Sequence, residues 1–268
     1  MTELTYENMN NVPGDAEPSA APAWPQRLWD WKTGWAIMLL WIVLFVIANV
    51  AQGIALVVES GGPEALAAGE MNVGLGTQLV TIIGFAIAAL GSVFVVARFA
   101  KRSWADLGFI RPDARWMWIG AGVGLALAVV RMGLLAGVVA LFPELAEGTE
   151  ALAAMMLNNT NPLTLIISGV LVSVIVPFYE EVFSRGYYHN WLRNRLGFWA
   201  AAVISSAFFA LIHLIPLQMV SAFLLGLGMA WVYENGKSIW PVIVAHAVNN
   251  FIAWGVGVIF LLLGLPMM

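Results

Sequence analysis

The sequence predicts an all-α protein, a polytopic bundle of about seven transmembrane helices. Three observations carry that prediction. Of 268 residues, 61% are hydrophobic and 10% charged, whereas soluble domains carry about 25% charged residues. The mean hydropathy is +0.84. Several apolar runs are long enough to cross ~30 Å of hydrocarbon, which takes about 20 helical residues.

Residues 1–28 stand apart. They are rich in Pro, Ala, Glu and Asn, with Glu3, Glu7, Asp15 and Glu17 and no basic residue before Arg27. So little apolar surface predicts a disordered cytoplasmic tail. A secretory signal would need a basic start followed by an apolar core. Residues 29–268 make up the transmembrane domain. Its spans are expected at 34–58, 74–99, 116–142, 162–184, 198–215, 217–234 and 239–265. The last is long for one crossing, and a bend at Gly255 and Gly257 would make an eighth short segment.

The connections set the orientation. Residues 98–115 hold Arg98, Lys101, Arg102, Arg111 and Arg115; Arg193 and Arg195 follow the fourth span and Lys237 the sixth. The first and third connections carry Glu59, Glu64 and Glu70, then Glu144, Glu147 and Glu150, without Lys or Arg. The positive-inside rule puts the N-terminus in the cytoplasm of a plasma (inner) membrane protein. Trp24, Trp29, Trp31, Trp35, Trp104, Trp116, Trp118, Trp191, Trp199 and Trp240 fall near span ends, where interfacial anchors are expected. Gly120 with Gly124, Gly133 with Gly137, and Gly226 with Gly228 predict close helix contacts. The absence of cysteine excludes disulfides, iron–sulfur clusters and thiolate zinc sites. There is no phosphate loop, repeat array or basic nucleic-acid patch.

Six ionisable side chains lie deep in the apolar sequence: Arg131, Glu180, Glu181, Arg185, His213 and His246. Such groups are costly in hydrocarbon and mark functional sites. Glu181 and Arg185 are four residues apart and share a helix face. Glu180 points about 100° away. Arg185 can therefore hold Glu181 charged and fixed, leaving Glu180 freer to take up a proton, a division common to acid–base sites.

Phe209 and His213 share a face of the fifth span, which Pro216 ends. Glu180 and His213 are nearly equidistant from the turn at Leu196–Gly197, so an antiparallel pair of helices sets them at one level. His246 and Asn250 share a face of the seventh span, where they could bind a carbonyl oxygen or hold a water. His189, Asn190, Arg193 and Asn194 follow Arg185 in a polar stretch read as running into the cytoplasm, with His189 solvent-exposed. The site is then nearer the cytoplasmic face. Arg131 either neutralises a site carboxylate or reaches polar groups across the bundle.

The pattern Glu180-Glu181-x-x-x-Arg185, Phe209-x-x-x-His213 and His246-x-x-x-Asn250 resembles the CAAX-protease and bacteriocin-processing (CPBP, or Abi) family of intramembrane endopeptidases. The resemblance covers about residues 160–255, the protease-like core. It implies that Glu180 is the base that activates water, with His213 helping to position that water. It further implies that His246 and Asn250 stabilise the oxyanion and that Glu181 and Arg185 support them. Eukaryotic members remove the C-terminal tripeptide of prenylated CAAX proteins; others are linked to bacteriocin maturation or self-immunity. The partners expected are a peptide or membrane-protein substrate and the lipid bilayer.

No cofactor is expected, but zinc remains an alternative. Glu180, His213 and His246 are a suitable ligand set that leaves a fourth position for water, with Glu181 as the base; no H-E-x-x-H helix accompanies it. Two non-hydrolytic classes share the same residues. One is a membrane binding or immunity protein that sequesters a peptide. The other is a proton-coupled transporter, against which the one-sided site and the lack of an inverted repeat both argue.

Overall fold

The computed structural model describes residues 29–142 and 161–264. The tail expected at 1–28, Trp24, and the acidic residues Glu144, Glu147 and Glu150 lie outside the described residues. Helix α1 (Trp31–Glu59) starts where Asp30 Oδ1 accepts the Thr33 N–H at 2.8 Å, a side-chain cap for an amide the helix leaves unpaired. After a short α2 (Pro63–Ala67), α3 (Leu75–Phe99) returns across the membrane. Glu59 closes this hairpin. Its carboxylate accepts the N–H groups of Gly74, Gly76 and Thr77 at 2.7, 3.0 and 3.1 Å, placing an anion at the helix end whose dipole favours it.

Helix α4 (Ala114–Leu141) is capped by Asp113, which accepts from Arg115 N–H at 2.9 Å. Helix α5 (Pro162–Leu211) starts with an Asn161 cap and Pro162 in its first turn. Helices α6 (Pro216–Gly236) and α7 (Trp240–Leu263) complete the bundle. Six helical stretches among the described residues are long and apolar enough to cross a membrane. The chain is an integral, multi-pass membrane protein.

Six stretches and about seven expected spans are reconciled at Gly197, whose φ of 78° and ψ of 173° are not helical. There α5 folds back. His189 Nδ1 lies 3.3 Å from Ser205 Oγ, sixteen residues later, where a straight helix would separate them by about 24 Å. Thus α5 is two antiparallel limbs, 162–196 and 198–211. Helix α7 runs unbroken through Gly255 and Gly257, so the bend that would make an eighth segment is not there.

The glycine expectations hold in part. A Cβ at Gly120 or Gly124 would collide with the Pro241 or Ala245 carbonyl. Both contacts advance by four residues, so α4 and α7 run parallel with their backbones touching. A Cβ at Gly226 would come within 2.7 Å of Ser206 Cβ, whereas one at Gly133 or Gly137 would meet nothing within 4 Å.

Two Trp residues expected at the interface are instead buried. Trp29, 2% exposed, donates its Nε1–H to Gly186 O at 3.3 Å, and Trp191, 4% exposed, stacks on Tyr187. Trp104, Trp118 and Trp199 remain exposed, as anchors require.

Replacing Gly124 by Val forces side-chain atoms into the Ala245 backbone. Overpacking of this kind costs about 1–3 kcal/mol. Thermal unfolding in detergent is expected to show a lowered midpoint, with Gly137→Val as the silent control.

Candidate active site

The fourth-span motif sits in an irregular part of α5. Five-residue-step turns occupy Leu171–Ile175 and Val182–His189, on either side of Val176–Glu181. Turns of this kind recur at functional sites. Pro177 contributes one cause, since it brings no N–H to the ladder. A carbonyl in the preceding turn then needs another donor, and Asn250 Nδ2 supplies it to Val172 O at 3.1 Å.

Glu181, 0% exposed, is held from two sides. Arg185 Nη1 donates to its Oε1 at 3.1 Å and lies 2.9 Å from Oε2. His246 Nδ1 donates to Oε1 at 2.6 Å. Arg185 also donates from Nη2 to Gly226 O at 2.8 Å, and its guanidinium lies over the Phe209 ring at 5.3 Å. The Glu181–Arg185 pairing follows the four-residue spacing in the sequence. The bond from α5 to His246 on α7 does not; sequence reading had set His246 beside Asn250.

With Nδ1–H committed to Glu181, the His246 ring is fixed in orientation and its Nε2 faces Glu180, 3.7 Å from Oε2. That is too long for a hydrogen bond, but one water about 2.8 Å from each atom can touch both. Glu180 and His246 line a cavity of about 650 Å³, mostly apolar, to which α1, α3, α4, α5, α6 and α7 all contribute. The site is off-centre: His246 lies six residues, about 9 Å, from the Trp240 start of α7, at the end that carries the basic connections.

His213 lines the same cavity. It lies just past the helix, in the turn after Leu211, and not on the regular helix face expected for it. Its Nδ1 donates to Phe209 O at 2.7 Å, which leaves Nε2 with a lone pair. The Phe209 ring lies between the two imidazoles, 4.8 Å from His213 and 5.9 Å from His246. Among the described residues no three His, Asp or Glu side chains gather closely enough to hold a metal ion. Glu180, His213 and His246 therefore do not fit a ligand set in this geometry.

Asn250 lines the cavity too, but its amide also serves Val172, and its Oδ1 accepts from Asn249 Nδ2 at 3.1 Å. His189, expected in solvent, is fully buried. The fold-back at Gly197 covers it with the second limb of α5. Arg131 lines the cavity without a carboxylate at ion-pair distance among the described residues.

Two substitutions separate structure from chemistry. Arg185→Met leaves Glu181 buried with half its partners, a loss worth about 3–5 kcal/mol, and thermal unfolding is expected to register it. Asn250→Ala strips Val172 O of its donor, at about 1–3 kcal/mol. An unfolding midpoint unchanged by Asn250→Ala would refute the bracing role.

Residues 162–252 match the family model described as Type II CAAX prenyl endopeptidase Rce1-like. One curated relative, named "Putative membrane peptidase YdiL", from Bacillus subtilis (strain 168), is 29% identical over 104 residues. The alignment covers 39% of this chain and 40% of that protein, so the chain spans about two-fifths of the relative's length. No solved structure matches. The three polar motifs all fall inside the family match, so the segment that carries the site is the segment similar to the CAAX prenyl endopeptidases.

Proposed function

We propose that the protein is an intramembrane endopeptidase that hydrolyses a peptide bond with water activated by Glu180. The observation that carries the proposal is the facing of Glu180 Oε2 and His246 Nε2 across 3.7 Å in a cavity, with His246 anchored behind by Glu181 and Arg185. Glu180 takes a proton as the water oxygen adds to the scissile carbonyl carbon. The same proton then passes to the nitrogen as the C–N bond breaks, leaving a carboxylic acid and an amine. His213, its Nδ1–H given to Phe209 O, has an Nε2 lone pair with which to orient the water. His246, its ring fixed by Glu181, and the second amide proton of Asn250 stabilise the developing oxyanion.

The cavity and the family match support a substrate class. A volume of about 650 Å³ with mostly apolar walls suits a peptide segment drawn from the bilayer, or one carrying a lipid. The Rce1-like family model is described by prenyl endopeptidase activity on CAAX proteins. We assign this chain the cleavage of a lipidated or membrane-bound substrate near its C-terminus. The basic connections support a catalytic end, and an N-terminus, on the cytoplasmic side.

Membrane proteomes of cells carrying the wild type are expected to contain protein termini that are missing when the chain is Glu180→Gln. On a substrate so found, in liposomes, Glu180→Gln should lower kcat by about 10²–10⁴-fold with little change in KM. Cleavage at the wild-type rate by both Glu180→Gln and His246→Ala would overturn the reading.

A further inference from the structure

Arg131 is the one Lys or Arg lining the cavity among the described residues, and Glu180 is the one carboxylate. The two are not paired. Arg131 is half-buried and has no hydrogen-bond or ion-pair partner among the described residues. Arg131 also borders a small void with Ser221, Leu225 and Asn249. A guanidinium is costly inside a membrane unless an anion or water meets it. Nothing in the hydrolytic step described above uses it.

Its position relative to the reacting groups can be measured along the helices. Gly124 touches Ala245, and α4 and α7 run parallel. Arg131 is seven residues beyond Gly124, and His246 one beyond Ala245. The Arg131 backbone therefore starts about 9 Å further along the bundle than His246. Helical side chains lean toward their N-terminus, so the Arg131 side chain starts out in the direction of the site. Arg131 and His213 line the same cavity. Along the axis, the gap to the Glu180–His246 pair holds no more than about three extended residues at ~3.4 Å each.

We propose that Arg131 is a specificity-determining residue that holds a carboxylate of the substrate within about three residues of the scissile bond. The planar fork of Arg suits a carboxylate with two parallel N–H donors, which Lys cannot reproduce. The carboxylate is either the free C-terminus of the peptide or an acidic side chain near it. The geometry then makes the cavity a ruler: Arg131 fixes the charged end, and Glu180 cuts at the distance that the end dictates. The position of the cut rests on the protease reading above; the carboxylate site does not.

The test uses the full chain in phosphatidylcholine nanodiscs. Its probe is a pool of N-capped apolar hexapeptides, made once as free acids and once as C-terminal amides. Peptides retained by the Glu180→Gln protein are counted by mass spectrometry, and peptides cut by the wild type are read in parallel. Free acids are expected to be retained at least about tenfold over amides, and cut within three residues of the end. Adding Arg131→Gln should remove the preference, with Arg131→Lys in between. Amides bearing one Asp near the end, if retained as well as the free acids, would identify a side chain as the source. Equal retention of acids and amides by the Glu180→Gln protein overturns the proposal without needing any Arg131 variant to fold. A preference that survives Arg131→Gln overturns it as well. Retention with the preference but no cleavage sinks the protease reading and leaves Arg131 standing. Cleavage without the preference does the reverse. Neither retention nor cleavage defeats both.

Discussion

The Glu181 carboxylate, held between Arg185 and His246, is the interaction on which the rest of the structure depends. It ties α5 to α7 through His246 Nδ1, and Arg185 extends the tie to α6 through Gly226 O. A buried ion pair adds little net stability, because removing two charges from water offsets most of their attraction. What it supplies here is direction. With one ring nitrogen committed, the other can face only the cavity. The neighbouring Glu180, pointing away from Arg185, is left free for chemistry. The two adjacent carboxylates thus differ in surroundings because a helix turns about 100° between them.

The irregular course of α5 belongs to the same design. Pro177 and the widened turns around it change which residues face inward. The chain meets the resulting need for a donor with a side chain from another helix, Asn250. That bond braces the helix about two turns before Glu180. A residue that resemblance assigns to the oxyanion therefore also supports the backbone that carries Glu180, the proposed base.

Much of this was legible from the residues. Apolar runs located the spans, and the fold-back at Gly197 fell within one residue of the turn expected from the polar stretch. The four-residue spacing of Glu181 and Arg185 gave their pairing, because neighbours on one helix face follow from pitch alone. The link from Glu181 to His246 was not legible, since register between distant helices depends on packing that no single segment encodes. His189 and Trp191 were misread for a related reason. A polar or aromatic residue near a predicted span end looks solvated or interfacial, but the second limb of α5 returns over that surface and buries both. Glu59 looked like an ordinary loop charge until the start of α3 came to rest on it.

The touching backbones of α4 and α7 have a mechanical consequence. With no side chains between Gly120 and Pro241 or between Gly124 and Ala245, the two helices have no soft layer along which to slide. They travel as one plate. Any widening that lets a bulky molecule in from the bilayer must come from the opposite walls, which Trp41, Phe45 and Phe85 line.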